Sequence, residues 1–247
     1  MRKLYQKNEL NYALAWITIY CVLQSLANPL NAMVGVKYSA SAVFCILQTV
    51  ILFRFLQKNS LLRQYGLCKS SVSADRFLYY VPLIILATRN FWNGAALNLG
   101  LRDTVCYIGC MLCVGFLEEV IFRGLLFKAI AKDNIKTAMI ISSVTFGLGH
   151  LLNLVNGSGA GIAENLFQVT GAVAIGFLFV FLFYRGESLL PCIAAHSAIN
   201  ITSAFANETG LTVEKRIFFQ LILFAITAAY IFILTKTLPK NQKSSFA

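Results

Sequence analysis

Charge is what this sequence has least of. Only 13% of its 247 residues are Asp, Glu, Lys or Arg, against about 25% in soluble domains. With 58% hydrophobic residues and a mean hydropathy of +0.70, so long a chain is not a soluble core and reads as several membrane spans. Its length suits one compact membrane domain, 1–247, with no room for a second sizeable soluble one. A basic cluster is missing too. The formal charge is +11, yet the lysines and arginines punctuate hydrophobic runs as loop charges do, which excludes nucleic acid as a partner.

Other absences narrow the reading. The seven cysteines are odd in number and scattered, so no disulfide framework is implied. Cys106, Cys110 and Cys113 share one helical face and read as small packing residues rather than a zinc site. The apolar stretch after the basic segment Met1–Leu10 lacks a clear small-residue cleavage site and is expected to be a retained first helix. No strand precedes and no lysine follows the glycine-rich run 157–161, so it is an outer loop and not a phosphate loop. No internal repeat is detectable, which argues against a repeat-built transporter.

What is present is a series of eight apolar segments, at 10–28, 36–56, 77–93, 104–127, 137–153, 165–184, 189–206 and 217–235. Pro82 and Arg89 interrupt the third, and the fifth and seventh are short for a span of about 20 residues. If all eight cross with the N-terminus inside, fifteen of the twenty-one basic residues fall on the cytoplasmic side. Five fall outside, and Arg123 lies within a span. The positive-inside rule thus predicts an all-α polytopic membrane protein with about eight transmembrane helices and both termini cytoplasmic. The basic segment 59–76 is expected to be a cytoplasmic loop with an interfacial stretch. Ala172 and Gly176 have the spacing that lets membrane helices pack closely.

Against this background the ionisable residues inside spans stand out, because each is expensive to insert and functional by default. They are Glu118, Glu119, Arg123, His150 and His196, the last two being the only histidines. Adjacent helical residues diverge by about 100°, so the two carboxylates cannot share a direction. Glu119 and Arg123, four apart, are expected to pair. Glu118 is then left without a built-in partner and is a candidate general base. His196 and Asn200 share a face, and both can donate to an oxyanion. Counted from the cytoplasmic helix ends, these residues fit one cluster in the inner-to-middle membrane.

Three motifs in register sharpen this. Glu118-Glu119-Val120-Ile121-Phe122-Arg123 fits EExxxR, Phe146 to His150 fits FxxxH, and His196 to Asn200 fits HxxxN. In this order they resemble the CPBP family, also called Abi, of CAAX prenyl endopeptidases and bacteriocin-processing or immunity proteins, over about 104–205. The resemblance implies a glutamate-dependent intramembrane protease. In it Glu118 activates water with help from His150, His196 and Asn200 form the oxyanion hole, and Glu119 and Arg123 hold the site together. It implies no metal, with zinc on Glu118, His150 and His196 as the alternative. Expected partners are membrane lipid and a peptide or protein substrate, lipidated in the CAAX case, or a leader, bacteriocin or pheromone peptide. The expected setting is a bacterial cytoplasmic membrane, with a cavity opening to the cytoplasm. A non-catalytic immunity or scaffold protein and a cation-coupled transporter are the rival readings.

Overall fold

A computed structural model describes residues 2–155 and 161–238, so residues 157–160 of the glycine-rich run lie outside the described residues. Among the described residues the chain is all-helical, and its one β-type pairing is an isolated bridge between Ala95 and Ala206. The principal helices are α1 (Glu9–Val34), α2 (Ser39–Lys58), α3 (Val81–Ala87), α4 (Leu101–Ala131), α5 (Ile135–Gly149), α6 (Ile162–Gly186), α7 (Leu190–Ser203) and α8 (Val213–Thr237). Five of them, α1, α2, α4, α6 and α8, are long and apolar enough to cross a membrane. They present apolar side chains outward, among them Leu47, Ile51, Val105, Leu112, Leu221 and Phe232. Such faces suit a lipid solvent and no aqueous one.

Local chemistry sets the helix ends. The Asn8 side chain accepts from the Asn11 amide at 2.9 Å, and Asn134 does the same for Thr137 at 3.0 Å, each satisfying an orphan donor at a helix start. Gly35, at φ 71°, closes α1 in the left-handed conformation that glycine adopts without penalty. The third apolar segment departs from a continuous helix over 77–93. It is a tight turn with Leu78, Tyr79 and Tyr80 at φ of 53°, 51° and 58°, then the seven residues of α3, then a short turn at Arg89–Phe91. The reason is Pro82. It has no N–H to give the carbonyl four residues back, so it is tolerated only in the first turn of a helix.

Contacts sort the helix ends into two groups. At one end Lys132 pairs with Glu9 at 2.8 Å, Leu189 N donates to Gly66 O at 2.8 Å, and Arg76 donates to Thr237 O at 3.0 Å. At the other, Lys37 N donates to Asp103 at 3.0 Å, Asn93 donates to Asn207 O at 2.8 Å, and Arg216 pairs with Glu164 at 3.1 Å. Both ends of the described chain therefore lie at the same end of the bundle. Close packing holds α4, α5, α6 and α7 together. A Cβ on Gly115 would run into Ser197, one on Gly147 into Val173, and one on Gly176 would lie 3.2 Å from Ser143 Cα. Gly176, of the expected small-residue pair, thus meets α5 directly, and Ala172 is buried beside it.

If the basic residues set orientation, the turn holding Lys37 faces outward and the one holding Lys132 faces the cytoplasm. In a cysteine-free background, Lys37→Cys is expected to react with an impermeant maleimide on intact cells. Lys132→Cys is expected to react only after permeabilisation. The reverse pattern would invert the topology.

Candidate active site

The site is built around a buried ion pair. Arg123 Nη1 lies 3.0 Å from Glu119 Oε1, and both side chains are fully buried. The two sit one turn apart on α4, whose backbone widens to π-helical pitch over Glu119–Phe127. Such widened turns concentrate at functional sites. The guanidinium also lies over the ring of Phe146 on α5, 3.9 Å from its centroid. The same ring meets His150 and His196 edge-on, at 5.3 and 5.5 Å between centroids. Phe146 therefore spaces the arginine and both histidines at once. That is a physical reason for phenylalanine four residues before His150.

His196 bridges the two carboxylates. Its Nδ1 lies 2.7 Å from Glu119 Oε1, and its Nε2 lies 3.4 Å from Glu118 Oε2. A carboxylate only accepts, so Nδ1 carries the proton toward Glu119. Glu118 is not partnerless as the sequence suggested. Tyr20, from α1, donates to its other oxygen at 2.6 Å. His150 sits at the end of α5 and points Nδ1 at the Phe146 carbonyl, 3.2 Å away. A carbonyl also only accepts, so the neutral ring keeps its Nε2 lone pair for another donor. Asn200, one turn beyond His196, has its backbone carbonyl held by Tyr107 at 3.1 Å.

These side chains border a cavity of about 1150 Å³, lined by Glu118, His150 and Asn200 together with Tyr20, Arg89 and Gln168. Buried His196 lies just behind Glu118. Gly35, Lys37 and Leu152 also line the cavity, so its mouth is at the end of the bundle away from the N-terminus. A cytoplasmic mouth and cytoplasmic termini therefore exclude each other, and the cluster lies in the middle and mouth-side half of the bundle. The helix α5 stops at Gly149, which lines the cavity, and this brings His150 toward the mouth.

The structure thus brings together Glu118, Glu119, Arg123, His150, His196 and Asn200, and adds Tyr20. A signal for Tyr20 was present. Tyr20, Gln24, Asn28 and Asn31 form a polar stripe on apolar α1, at the spacing of one helical face, and all four line the cavity. As for zinc, no three His, Cys, Asp or Glu side chains among the described residues are grouped so as to hold a metal ion. Both nitrogens of His196 already face carboxylates. Cys110 lies against Cys45 of α2, with sulfurs 3.7 Å apart, as a packing contact.

Residues 101–202 match the family model described as Type II CAAX prenyl endopeptidase Rce1-like. This supports the CPBP resemblance carried by the three motifs, all of which fall within the match. No curated protein and no solved structure matches the chain.

Breaking a buried pair by removing one partner costs about 3–5 kcal/mol, whereas replacing both partners can be neutral. Arg123→Met is accordingly expected to lower the melting temperature in detergent steeply, and Glu119→Gln with Arg123→Met to recover much of the loss. Equal melting temperatures for the parent and Arg123→Met would show that the pair does not hold the helices.

Proposed function

From the Rce1-like character of residues 101–202, we propose that this protein is an intramembrane endopeptidase that hydrolyses a peptide bond with water activated by Glu118. The observation that carries the reading is the convergence of Glu118, His150 and Asn200 on one polar cavity inside an apolar bundle, with His196 bridging Glu118 to Glu119.

In this reading the peptide enters the cavity, and a water lies between Glu118 and the scissile carbonyl. Glu118 takes a proton from the water as its oxygen attacks. His150 orients that water through the lone pair on Nε2, since Nδ1 is committed to Phe146. The carbonyl oxygen becomes an oxyanion, stabilised by the Asn200 amide, while His196, behind Glu118, steadies the base. Glu118 then hands its proton to the leaving amine, and the products are a new carboxylate and a new amine. Tyr20 holds the carboxylate at the angle the base requires. The reaction is read as metal-independent. The proposed substrates are a lipidated CAAX-type protein or a leader-type peptide, in a bacterial cytoplasmic membrane crossed about eight times.

Glu118→Gln, nearly isosteric, is expected to lower kcat by at least about 10²-fold, as loss of a positioned base does. Asn200→Ala is expected to lower it about 10²–10³-fold, as loss of an oxyanion donor does. Both should leave the melting temperature near that of the parent. The measurement is cleavage of a fluorogenic CAAX and leader-peptide library in detergent, with and without a zinc chelator. Full cleavage by Glu118→Gln would sink the mechanism, and loss on chelation with recovery on added zinc would replace it by a metal-dependent one.

A further inference from the structure

The chemistry above leaves one charged group of the cavity unused. Arg89 lies where the active-site cavity adjoins a second cavity of about 490 Å³, and Arg89, Asn90 and Gln168 line both. Among the described residues Arg89 makes no ion pair and no side-chain hydrogen bond. The acidic groups that line either cavity are already engaged. Glu118 is held by Tyr20 and His196, and Glu164 and Glu208 are both held by Arg216, at 3.1 and 3.7 Å. The half-buried guanidinium thus has no counter-charge of its own. Such a group in a membrane protein is expensive, and its planar fork is the side chain best matched to a carboxylate.

Its position is tied to the catalytic groups. The neighbouring Asn90 side chain donates to Ile199 O at 2.6 Å and to Thr202 Oγ1 at 2.9 Å. Both acceptors are on α7, the helix that carries His196 and Asn200. Asn93 and Asn98 continue the attachment, donating to the carbonyls of Asn207 and Ala204 at 2.8 and 3.1 Å. On the other side, Arg89 Nη1 runs beside Gly171 of α6, where even a Cβ would come within 3.7 Å. Lys37 adds a second cation to the cavity lining, at the mouth.

We propose that Arg89 binds a carboxylate of the peptide substrate, and so holds the peptide across the junction of the two cavities with its scissile bond beside Glu118. This rests on the protease reading and adds the substrate class to it: a peptide with a carboxylate close to the bond that is cut. That carboxylate is either a free C-terminus or an acidic side chain. Arg89 acts in substrate positioning and takes no part in proton transfer.

The test uses fluorescein-labelled apolar heptapeptides with one acidic residue, made as the free acid, as the C-terminal amide, and with the acidic residue replaced by its amide. Binding is measured by anisotropy in full-length Glu118→Gln protein, which does not consume the peptide, and cleavage is measured with active Glu118. The expected result is tighter binding of one carboxylate form over its amide by about 10–100-fold, the range for hydrogen bonds to a charged group. The form whose loss weakens binding identifies which carboxylate is read. Adding Arg89→Gln should abolish the preference, Arg89→Lys should keep part of it, and Arg89→Glu should favour a lysine-bearing peptide. In cleavage, Arg89→Gln should raise KM for the carboxylate peptide with kcat little changed, and should leave the amide peptide unaffected. Cleavage without carboxylate preference, or a preference that survives Arg89→Gln, overturns the proposal and leaves the protease reading standing. Carboxylate preference that depends on Arg89, with no peptide cleaved, upholds the proposal and counts against the protease reading.

Discussion

Everything at the centre of this bundle depends on the ion pair between Arg123 and Glu119. Neither group could be buried alone in a bundle whose solvent is hydrocarbon. Together they form a dipole that the surrounding helices must accommodate, and that requirement explains the packing. Gly176 leaves room for the guanidinium, since even a Cβ there would come within 3.2 Å of Nη2. Phe146 covers its face. His196 caps Glu119 from α7. Three helices besides α4 are thus positioned by one pair of charges. A buried pair adds little net stability, but its geometry is exacting, and fixed placement of neighbours is what a catalytic cluster needs.

The division of labour between the two adjacent glutamates follows. Glu119 faces inward, and its Oε1 is engaged by both Arg123 and His196. Glu118 borders the cavity, where the Tyr20 hydroxyl and one edge of His196 orient it without occupying it. Two chemically identical side chains on consecutive residues therefore take different roles because the helix turns between them. The His150 ring is likewise anchored through one nitrogen to its own helix, and among the described residues its other nitrogen makes no hydrogen bond. The broken third segment has a place in the same scheme. A continuous helix over 77–93 would carry Arg89 and the asparagines on a straight rod. The interrupted form lets the stretch 89–98 lie along α7 and fasten to the Ile199 carbonyl and, just past the helix end, to those of Ala204 and Asn207.

Much of this was legible beforehand, for definite reasons. The all-helical membrane character follows from composition and run length, because long apolar runs in lipid satisfy their backbone within the segment as helices. The partnership of Glu119 and Arg123 follows from a spacing of four on one helix, which is local geometry. The candidate residues came forward because charge inside an apolar run is conspicuous. Tyr20 did not, since a tyrosine in a hydrophobic helix draws no notice until its hydroxyl is seen to meet Glu118. The polar stripe through Gln24, Asn28 and Asn31 was the available clue.

Sequence by itself determined the class of fold, the local pairing on α4, and the list of residues able to do chemistry, since each rests on composition or on contacts within about one helical turn. Tertiary structure decided the rest. It brought α1, α5 and α7 around Glu118, and gave His196 to both carboxylates rather than leaving one unpartnered. It placed the cavity mouth away from both ends of the described chain, and left Arg89 without a counter-charge between two cavities. Those outcomes depend on which helices become neighbours and where each one stops. Such contacts join residues about a hundred positions apart, as Tyr20 and Glu118 are, and helical periodicity carries no information at that range.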